Sequence, residues 1–200
     1  MARSFVPGLR IVRLAVLGVL AAAPLACVHV EVGDVAVPAK ASACDPVTCD
    51  VPDTDPAHPA AIRELGVPSG GGVLNGFVYV PPGAGPHPVA ILLHGYPGYE
   101  RNGDLAHALR RAGWTVLSFH YRGVWGSPGT FTFARAIEDA EAAVAFVRSP
   151  EFQEAHRADA TRIALVGHSM GGFVALLTAA QREDVRCAAS LAGANLGLMG

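Results

Sequence analysis

A serine flanked by glycines is the residue of this sequence best suited to covalent chemistry. Ser169 stands at the centre of GHSMG at 167–171, after an apolar run at 162–166 and before a helical pattern at 170–181. Glycines two residues to either side lack the Cβ that would clash in a tight strand-to-helix turn, and such a turn exposes the serine hydroxyl. The pattern predicts a nucleophile elbow with Ser169 as the nucleophile, against the alternative of a glycine-rich turn with an incidental serine.

A second segment offers hydrogen-bond donors of the kind that acyl transfer needs. The sequence HGYPG at 94–98 directly follows the apolar run PVAILL at 88–93. Acyl transfer requires two N–H groups that point at the oxyanion as it forms. We expect these donors to be the backbone N–H groups of Tyr96 and Met170.

Alternating strands and helices must position these groups. Short apolar runs predict strands, and apolar residues at helical spacing predict helices. The predicted strands are 73–80, 88–93, 114–119, 162–166 and 185–191, and the predicted helices are 104–112, 133–148 and 170–181. This alternation indicates an α/β fold with a mostly parallel sheet and helices on both faces. Active groups in such sheets lie at the carboxyl ends of the strands.

Four segments in this order resemble an α/β-hydrolase. They are LLHGYPG, GWTVLSFHYRGVWGSPG, AIEDAEAAVAFV and RIALVGHSMGG, and the resemblance covers about residues 73–195. The pattern is most similar to the dienelactone-hydrolase and prolyl-oligopeptidase-like branch of serine hydrolases. The resemblance implies the α/β-hydrolase fold, Ser169 as nucleophile, and the N–H groups of Tyr96 and Met170 as the oxyanion hole.

Other side chains near these motifs have competing interpretations. His94 is expected to brace its loop and His168 to pack in the elbow, rather than to transfer protons. In the family that the sequence resembles, the loop containing Arg122 shapes one wall of the site, and we expect a structural role for this arginine. Trp125 either lines a substrate pocket or packs on the domain.

The residues that would activate Ser169 do not appear in the family's positions. The resemblance implies the order serine, acid, histidine, with the acid after the seventh strand and the histidine after the eighth. The sequence ends at Gly200, after the predicted strand at 185–191, which the resemblance makes the sixth strand of the family, and no histidine follows His168. We therefore expect an N-terminal portion of a longer hydrolase or a truncated gene product, without the C-terminal strands and helices. Such a chain alone is expected to be poorly soluble and nearly inactive.

These observations predict a serine hydrolase that cleaves an ester or related acyl bond through an acyl-enzyme on Ser169. Two alternatives stay open: a peptidase of the prolyl-oligopeptidase-like type, and a truncated, non-catalytic envelope protein that keeps the hydrolase fold. The expected substrate is a small-molecule ester or a peptide. No cofactor and no metal is expected.

The N-terminus has the pattern of an export signal. Three arginines in the first 13 residues precede an apolar run at 14–23, and PLAC follows at 24–27. The run is too short to predict a membrane span, but the pattern is typical of secretion. Cys27 resembles the acylated cysteine of bacterial lipoproteins, although Pro24 stands where leucine is usual. Secretion into the periplasm or medium and a lipid tether to the membrane at Cys27 therefore both stay open.

The sequence predicts three regions along the chain. We predict an export signal at 1–27, a linker rich in proline and aspartate at 28–61, and the α/β-hydrolase domain at 62–200, incomplete at its C-terminus.

The formal net charge is −2, and no cluster of Lys and Arg lies beyond the N-terminus. Nucleic acid is therefore not an expected partner.

The cysteines fit an oxidising compartment. Cys44 and Cys49 lie close together in the predicted linker, where a disulfide between them would close a small loop. A metal site is not predicted there, because no second cysteine pair or spaced histidine pair accompanies them. Cys187 lies in an apolar run and is expected to be a small core residue.

Overall fold

The computed structural model describes residues 55–195, which form one six-stranded sheet flanked by four helices. The strands are β1 (Ala61–Ser69), β2 (Gly72–Val80), β3 (His87–Leu93), β4 (Thr115–Phe119), β5 (Ala158–His168) and β6 (Val185–Leu191). The helices are α1 (Gly103–Arg111), α2 (Phe133–Val147), α3 (Pro150–His156) and α4 (Met170–Ala180). The strand order is β1-β2-β4-β3-β5-β6.

The sheet is mostly parallel, as the sequence predicts. β2 is antiparallel to both of its neighbours, β1 and β4, whereas the pairs β3–β4, β3–β5 and β5–β6 are parallel. The carboxyl ends of β3, β4 and β5 therefore meet at one edge of the sheet. The segments that follow these three strands contain HGYPG, the loop with Arg122 and Trp125, and Ser169.

Apolar side chains on both faces of β3 explain its continuous apolar run. Successive side chains of a strand point to opposite faces, so a strand covered on both sides needs apolar residues throughout. Val89, Ile91 and Leu93 belong to one buried cluster with residues of α2 and α4. Ala90 and Leu92 belong to a second cluster with Ala106 of α1. Helices thus cover both faces of the sheet, as predicted.

Strand β1 is an element that the sequence analysis did not predict. It pairs with β2 in full antiparallel register from Ala61↔Val80 to Ser69↔Gly72. The connection is Gly70-Gly71, with φ of 56° and 79°, which is the backbone that a two-residue hairpin requires. The signal was weak because most of β1 is exposed or half-buried and the strand contains Pro68, a residue typical of sheet edges.

Helix α3 is a second element that the sequence analysis did not predict. The predicted helix at 133–148 corresponds to α2, which ends at Val147, and Pro150 then begins α3. Ser149 caps the new helix, because its hydroxyl accepts a hydrogen bond from the N–H of Phe152 at 3.2 Å. Proline is favoured in a first helical turn, where its missing N–H costs nothing.

Cys187 is not a core residue, contrary to expectation. It is a free, half-buried cysteine on β6, the outermost strand of the sheet within residues 55–195. Val185 and Ala188 of β6 pack against the buried core, whereas Cys187 does not belong to it. An apolar run predicts burial only when both sides of a strand are covered.

The predicted N-terminal features lie outside the described residues. These are the export signal at 1–27, the lipidation site Cys27 and the disulfide between Cys44 and Cys49. Of the helices in residues 55–195, none has the length and apolar character needed to cross a membrane.

Candidate active site

Ser169 is the single residue between β5 and α4. Its φ of 55° and ψ of −120° lie where a residue with a side chain is rarely found. Hydrogen bonds hold this conformation on both sides: the Ser169 N–H donates to the carbonyl of Leu191 at 2.9 Å, and the Ser169 carbonyl accepts from Ala194 at 3.0 Å. The surroundings thus fix a strained backbone, which is common at reactive positions.

The flanking glycines allow two close backbone contacts. A Cβ on Gly167 would overlap the backbone of Gly171 and approach the nitrogen of Gly172 to 2.5 Å. A Cβ on Gly171 would overlap the Leu93 carbonyl at the end of β3 and lie 2.7 Å from the His94 oxygen. Glycine at both positions lets α4 start directly against β5 and against the loop that follows β3.

The loop that follows β3 packs on the elbow. A Cβ built on Gly95 would lie 3.1 Å from the Cβ of Ser169, so this loop touches the candidate nucleophile. Tyr96 follows Gly95, and Met170 follows Ser169. Within residues 55–195, the backbone N–H groups of Tyr96 and Met170 donate to no acceptor.

His94 is buried and forms a hydrogen bond that stabilises this loop. Its ring is 4% exposed, and Nδ1 donates to the carbonyl of Gly95 at 2.7 Å. Burial lowers the pKa of His94 below its ordinary value. The ring is therefore neutral near pH 7, with Nε2 buried and without a partner among the described residues.

His120, which the sequence analysis did not assign to the site, lies beside His94. The two ring centroids are 5.4 Å apart, and His120 is 6% exposed. Burial, with the nearby His94 and Arg101 as further causes, lowers the pKa of His120 to about 4. Its Nδ1 also has no partner within residues 55–195. The sequence feature that could have assigned His120 to the site is its position directly after β4, at the carboxyl edge of the sheet.

His168 is the last residue of β5 and lies against the same loop. A Cβ built on Gly95 would be 3.5 Å from its Nδ1, which is buried and unbonded in the described part of the chain.

Across residues 55–195, no histidine and no carboxylate forms a hydrogen bond with the hydroxyl of Ser169.

Arg122 anchors the loop that follows β4. Its backbone N–H and its Nε both donate to Asp139 of α2, at 2.9 Å and 2.8 Å. Asp139 is fully buried and also accepts a hydrogen bond of 2.6 Å from the hydroxyl of Ser69. The arginine thus has the structural role that the sequence analysis expected.

Aromatic side chains surround the loop that contains Tyr96. Tyr96 is 58% exposed and stacks on Phe131, with ring centroids 4.9 Å apart and an angle of 27°. Tyr99 and Trp125 form an edge-to-face pair with centroids 6.2 Å apart. Sequence reasoning identified Trp125 and missed Phe131 and Tyr99, although all of them lie in loops that follow strands of the sheet.

Comparisons with known proteins show the family and the fold of the chain. The sequence matches the model of the alpha/beta hydrolase family over residues 90–199. It is 36% identical over 114 residues to an uncharacterized 31.7 kDa protein of Escherichia coli, encoded in the traX-finO intergenic region; the match covers 56% of this chain and 39% of that protein. The chain spans less than half the length of the curated relatives it matches.

Two solved structures share the fold. EstE1, a thermostable carboxylesterase cloned from a metagenomic library, is 27% identical, with a TM-score of 0.54 over 68% of this chain and 48% of that one. A dienelactone hydrolase from Anabaena variabilis is 24% identical, with a TM-score of 0.55 over 68% and 65% of the two chains. At that identity the second comparison shows the likeness of fold alone.

Proposed function

Because the chain belongs to the alpha/beta hydrolase family, we propose that the protein is a serine hydrolase that cleaves an ester through an acyl-enzyme on Ser169. The observation that carries this proposal is the backbone of Ser169, held at φ 55° between β5 and α4. A strained serine at the head of a helix is the arrangement of a nucleophile elbow. The likeness to a carboxylesterase supports an ester as the substrate.

The proposed reaction uses Ser169 as the attacking group. A general base takes the hydroxyl proton, Oγ bonds to the ester carbonyl carbon, and the carbonyl oxygen becomes an oxyanion. The N–H groups of Tyr96 and Met170 bind that oxyanion, and the N-terminal end of α4 adds a favourable dipole. Collapse expels the alcohol, which takes up the proton from the base. Water then attacks the acyl carbon, its proton passes through the base to Oγ of Ser169 as the acyl bond breaks, and the acid is released.

Replacement of the nucleophile tests the proposal. The full-length protein should hydrolyse p-nitrophenyl acetate and react with a fluorophosphonate probe. Ser169→Ala should lower kcat/KM by about 10³-fold or more and abolish labelling, because only binding and oxyanion stabilisation would remain. Aminoacyl arylamides assayed in parallel separate an esterase from the peptidase that the sequence also allows.

Ser118→Ala is the matched control. Ser118 is half-buried on β4, and its hydroxyl has no hydrogen-bond partner within residues 55–195. This variant should keep both turnover and labelling. Turnover that survives in Ser169→Ala would refute the assignment of the nucleophile. A full-length protein with the acid and histidine that the resemblance implies would instead indicate a binding role if it neither turns over an ester nor reacts with the probe.

A further inference from the structure

Trp125 has a backbone conformation that its own side chain disfavours. Its φ is 47°, in the left-handed region, where a bulky residue is a rare exception. Such a conformation costs a residue other than glycine about 1–2 kcal/mol. The indole nevertheless remains 51% exposed, so burial on the domain offsets little of that cost.

Hydrogen bonds from the sheet hold the loop that carries Trp125. Asn75 of β2 donates from its side-chain amide to the Trp125 carbonyl at 3.2 Å and from its backbone to the Ser127 hydroxyl at 3.0 Å. The Ser127 hydroxyl in turn donates to the His120 carbonyl at 2.8 Å. These hydrogen bonds therefore fix the backbone that carries the indole.

The indole lies against the loop that packs on Ser169. A Cβ built on Gly98 would be 2.9 Å from the indole Nε1 and 3.0 Å from Cε1 of His94. Gly95, three residues earlier in the same loop, touches Ser169. Trp125 is thus connected to the candidate nucleophile through one short, braced loop.

Tyr99 forms an exposed aromatic pair with Trp125. It is 81% exposed and meets Trp125 edge to face, at an angle of 77°. An edge-to-face pair leaves ring faces free, and aromatic contacts contribute about 0.5–1.5 kcal/mol beyond the area that they bury. Two exposed rings against the loop that contacts Ser169 therefore favour a flat aromatic group on the substrate.

We propose that Trp125 and Tyr99 form an aromatic subsite beside Ser169 that binds an aromatic ring of the substrate ester, which makes Trp125 a specificity-determining residue. This inference rests on the proposed function. It narrows the substrate class to esters that carry an aromatic ring near the reacting carbonyl.

The first experiment compares kcat/KM for benzyl acetate and ethyl acetate in the wild-type protein and in Trp125 variants. Trp125→Gly should lower the ratio of the two values about tenfold, and Trp125→Phe should restore most of it, because phenylalanine retains a ring. A ratio that stays unchanged in Trp125→Gly would overturn the subsite.

Glycine is the decisive replacement because it removes the side chain and relieves the backbone. At φ 47° glycine carries no steric cost, so the variant should unfold at a temperature equal to or above that of the wild-type protein. A lower ratio in a protein of undiminished stability cannot be attributed to misfolding. Ile62→Ala, which removes a 48% exposed side chain from β1, should leave the ratio as it is.

A binding measurement separates this inference from the proposed function. The chain has two tryptophans, so Trp114→Phe leaves Trp125 as the only indole. In a Trp114→Phe and Ser169→Ala double variant, benzyl acetate should change the indole emission at concentrations where ethyl acetate does not. Equal responses to both esters would refute the subsite even if Ser169 is the nucleophile. A selective response in the double variant, together with a protein with Ser169 intact that hydrolyses no ester, would keep the subsite and reject the proposed reaction.

Discussion

His94 and His120 support the candidate site as a pair of buried, neutral imidazoles. They lie under the loop that contains Tyr96, and each ring has one nitrogen without a partner within residues 55–195. A charged imidazole here would be poorly solvated, and a second charge beside it would add repulsion. The integrity of the loop should therefore depend on pH through these two residues.

We predict that His120 makes the folded state sensitive to acid. Its pKa is about 4 in the folded protein, against an ordinary value of 6.5. Stability is therefore fully present above pH 6.5 and is lost as the pH falls toward 4, because the unfolded chain takes up the proton first. At about pH 4.5 the loss should be on the order of 2 kcal/mol relative to neutral pH.

Urea denaturation of the wild-type protein and His120→Asn between neutral and acidic pH measures this effect. The stability advantage of the wild-type protein over the variant should shrink as the pH falls, because asparagine does not titrate. His120→Gln, as a second variant, separates lost packing, which is independent of pH, from the titration. A constant difference between wild type and both variants would contradict the prediction.

At the scale of elements, the site depends on how closely α4 approaches β3 and β5. Gly171 is the contact point, because a side chain there would meet the Leu93 carbonyl and the backbone of His94. Backbone atoms at the end of a central strand cannot move aside without disturbing the sheet. A Cβ on Gly172, the next residue, would overlap the Ser190 hydroxyl on β6 and lie 3.1 Å from the Gly193 Cα and 3.2 Å from the Gly167 oxygen.

Gly171→Ala should therefore be much more damaging than Gly172→Ala. We expect Gly171→Ala to lower the free energy of unfolding by about 2 kcal/mol or more, and to reduce ester turnover as α4 moves away from the loop. Gly172→Ala should cost less than Gly171→Ala, because the Ser190 hydroxyl can rotate away and the backbone of Gly193 and Gly167 needs to shift by only a few tenths of an ångström. Urea denaturation and p-nitrophenyl acetate turnover measure both effects. Equal losses in the two variants would show that the close approach at Gly171 is not the critical one.

At the scale of the whole described domain, one carboxylate joins three parts of the fold. Asp139 on α2 accepts hydrogen bonds from Ser69 at the β1–β2 hairpin and from Arg122 in the loop after β4. The Arg122 side chain is only 12% exposed and also pairs with Glu138, which is 59% exposed. The loop that carries Trp125 is therefore anchored to α2 and, through Asp139, to the β1–β2 hairpin.

We predict that Asp139→Asn destabilises the protein by about 3 kcal/mol, because Arg122 loses its buried counter-charge. Glu138→Gln, at the neighbouring and exposed position, should cost less than about 1 kcal/mol. Both values follow from urea denaturation at neutral pH. Similar losses in the two variants would mean that the buried carboxylate has no special role in joining these elements.

Local patterns in the sequence determined the elbow at Ser169, the apolar strand β3 and the ends of α1, α2 and α4 to within one residue. These features depend on contacts between near neighbours and on regular spacing, which a sequence displays directly.

Only the tertiary structure decided which loops meet. The order β4-β3-β5 places the loops after these strands side by side, and this brings His120 next to His94 and Trp125 next to Gly98. Strand β1 became visible only through its pairing with β2. Spacing along the chain carries no record of strand order, because contacts between distant segments are fixed by packing of the whole sheet.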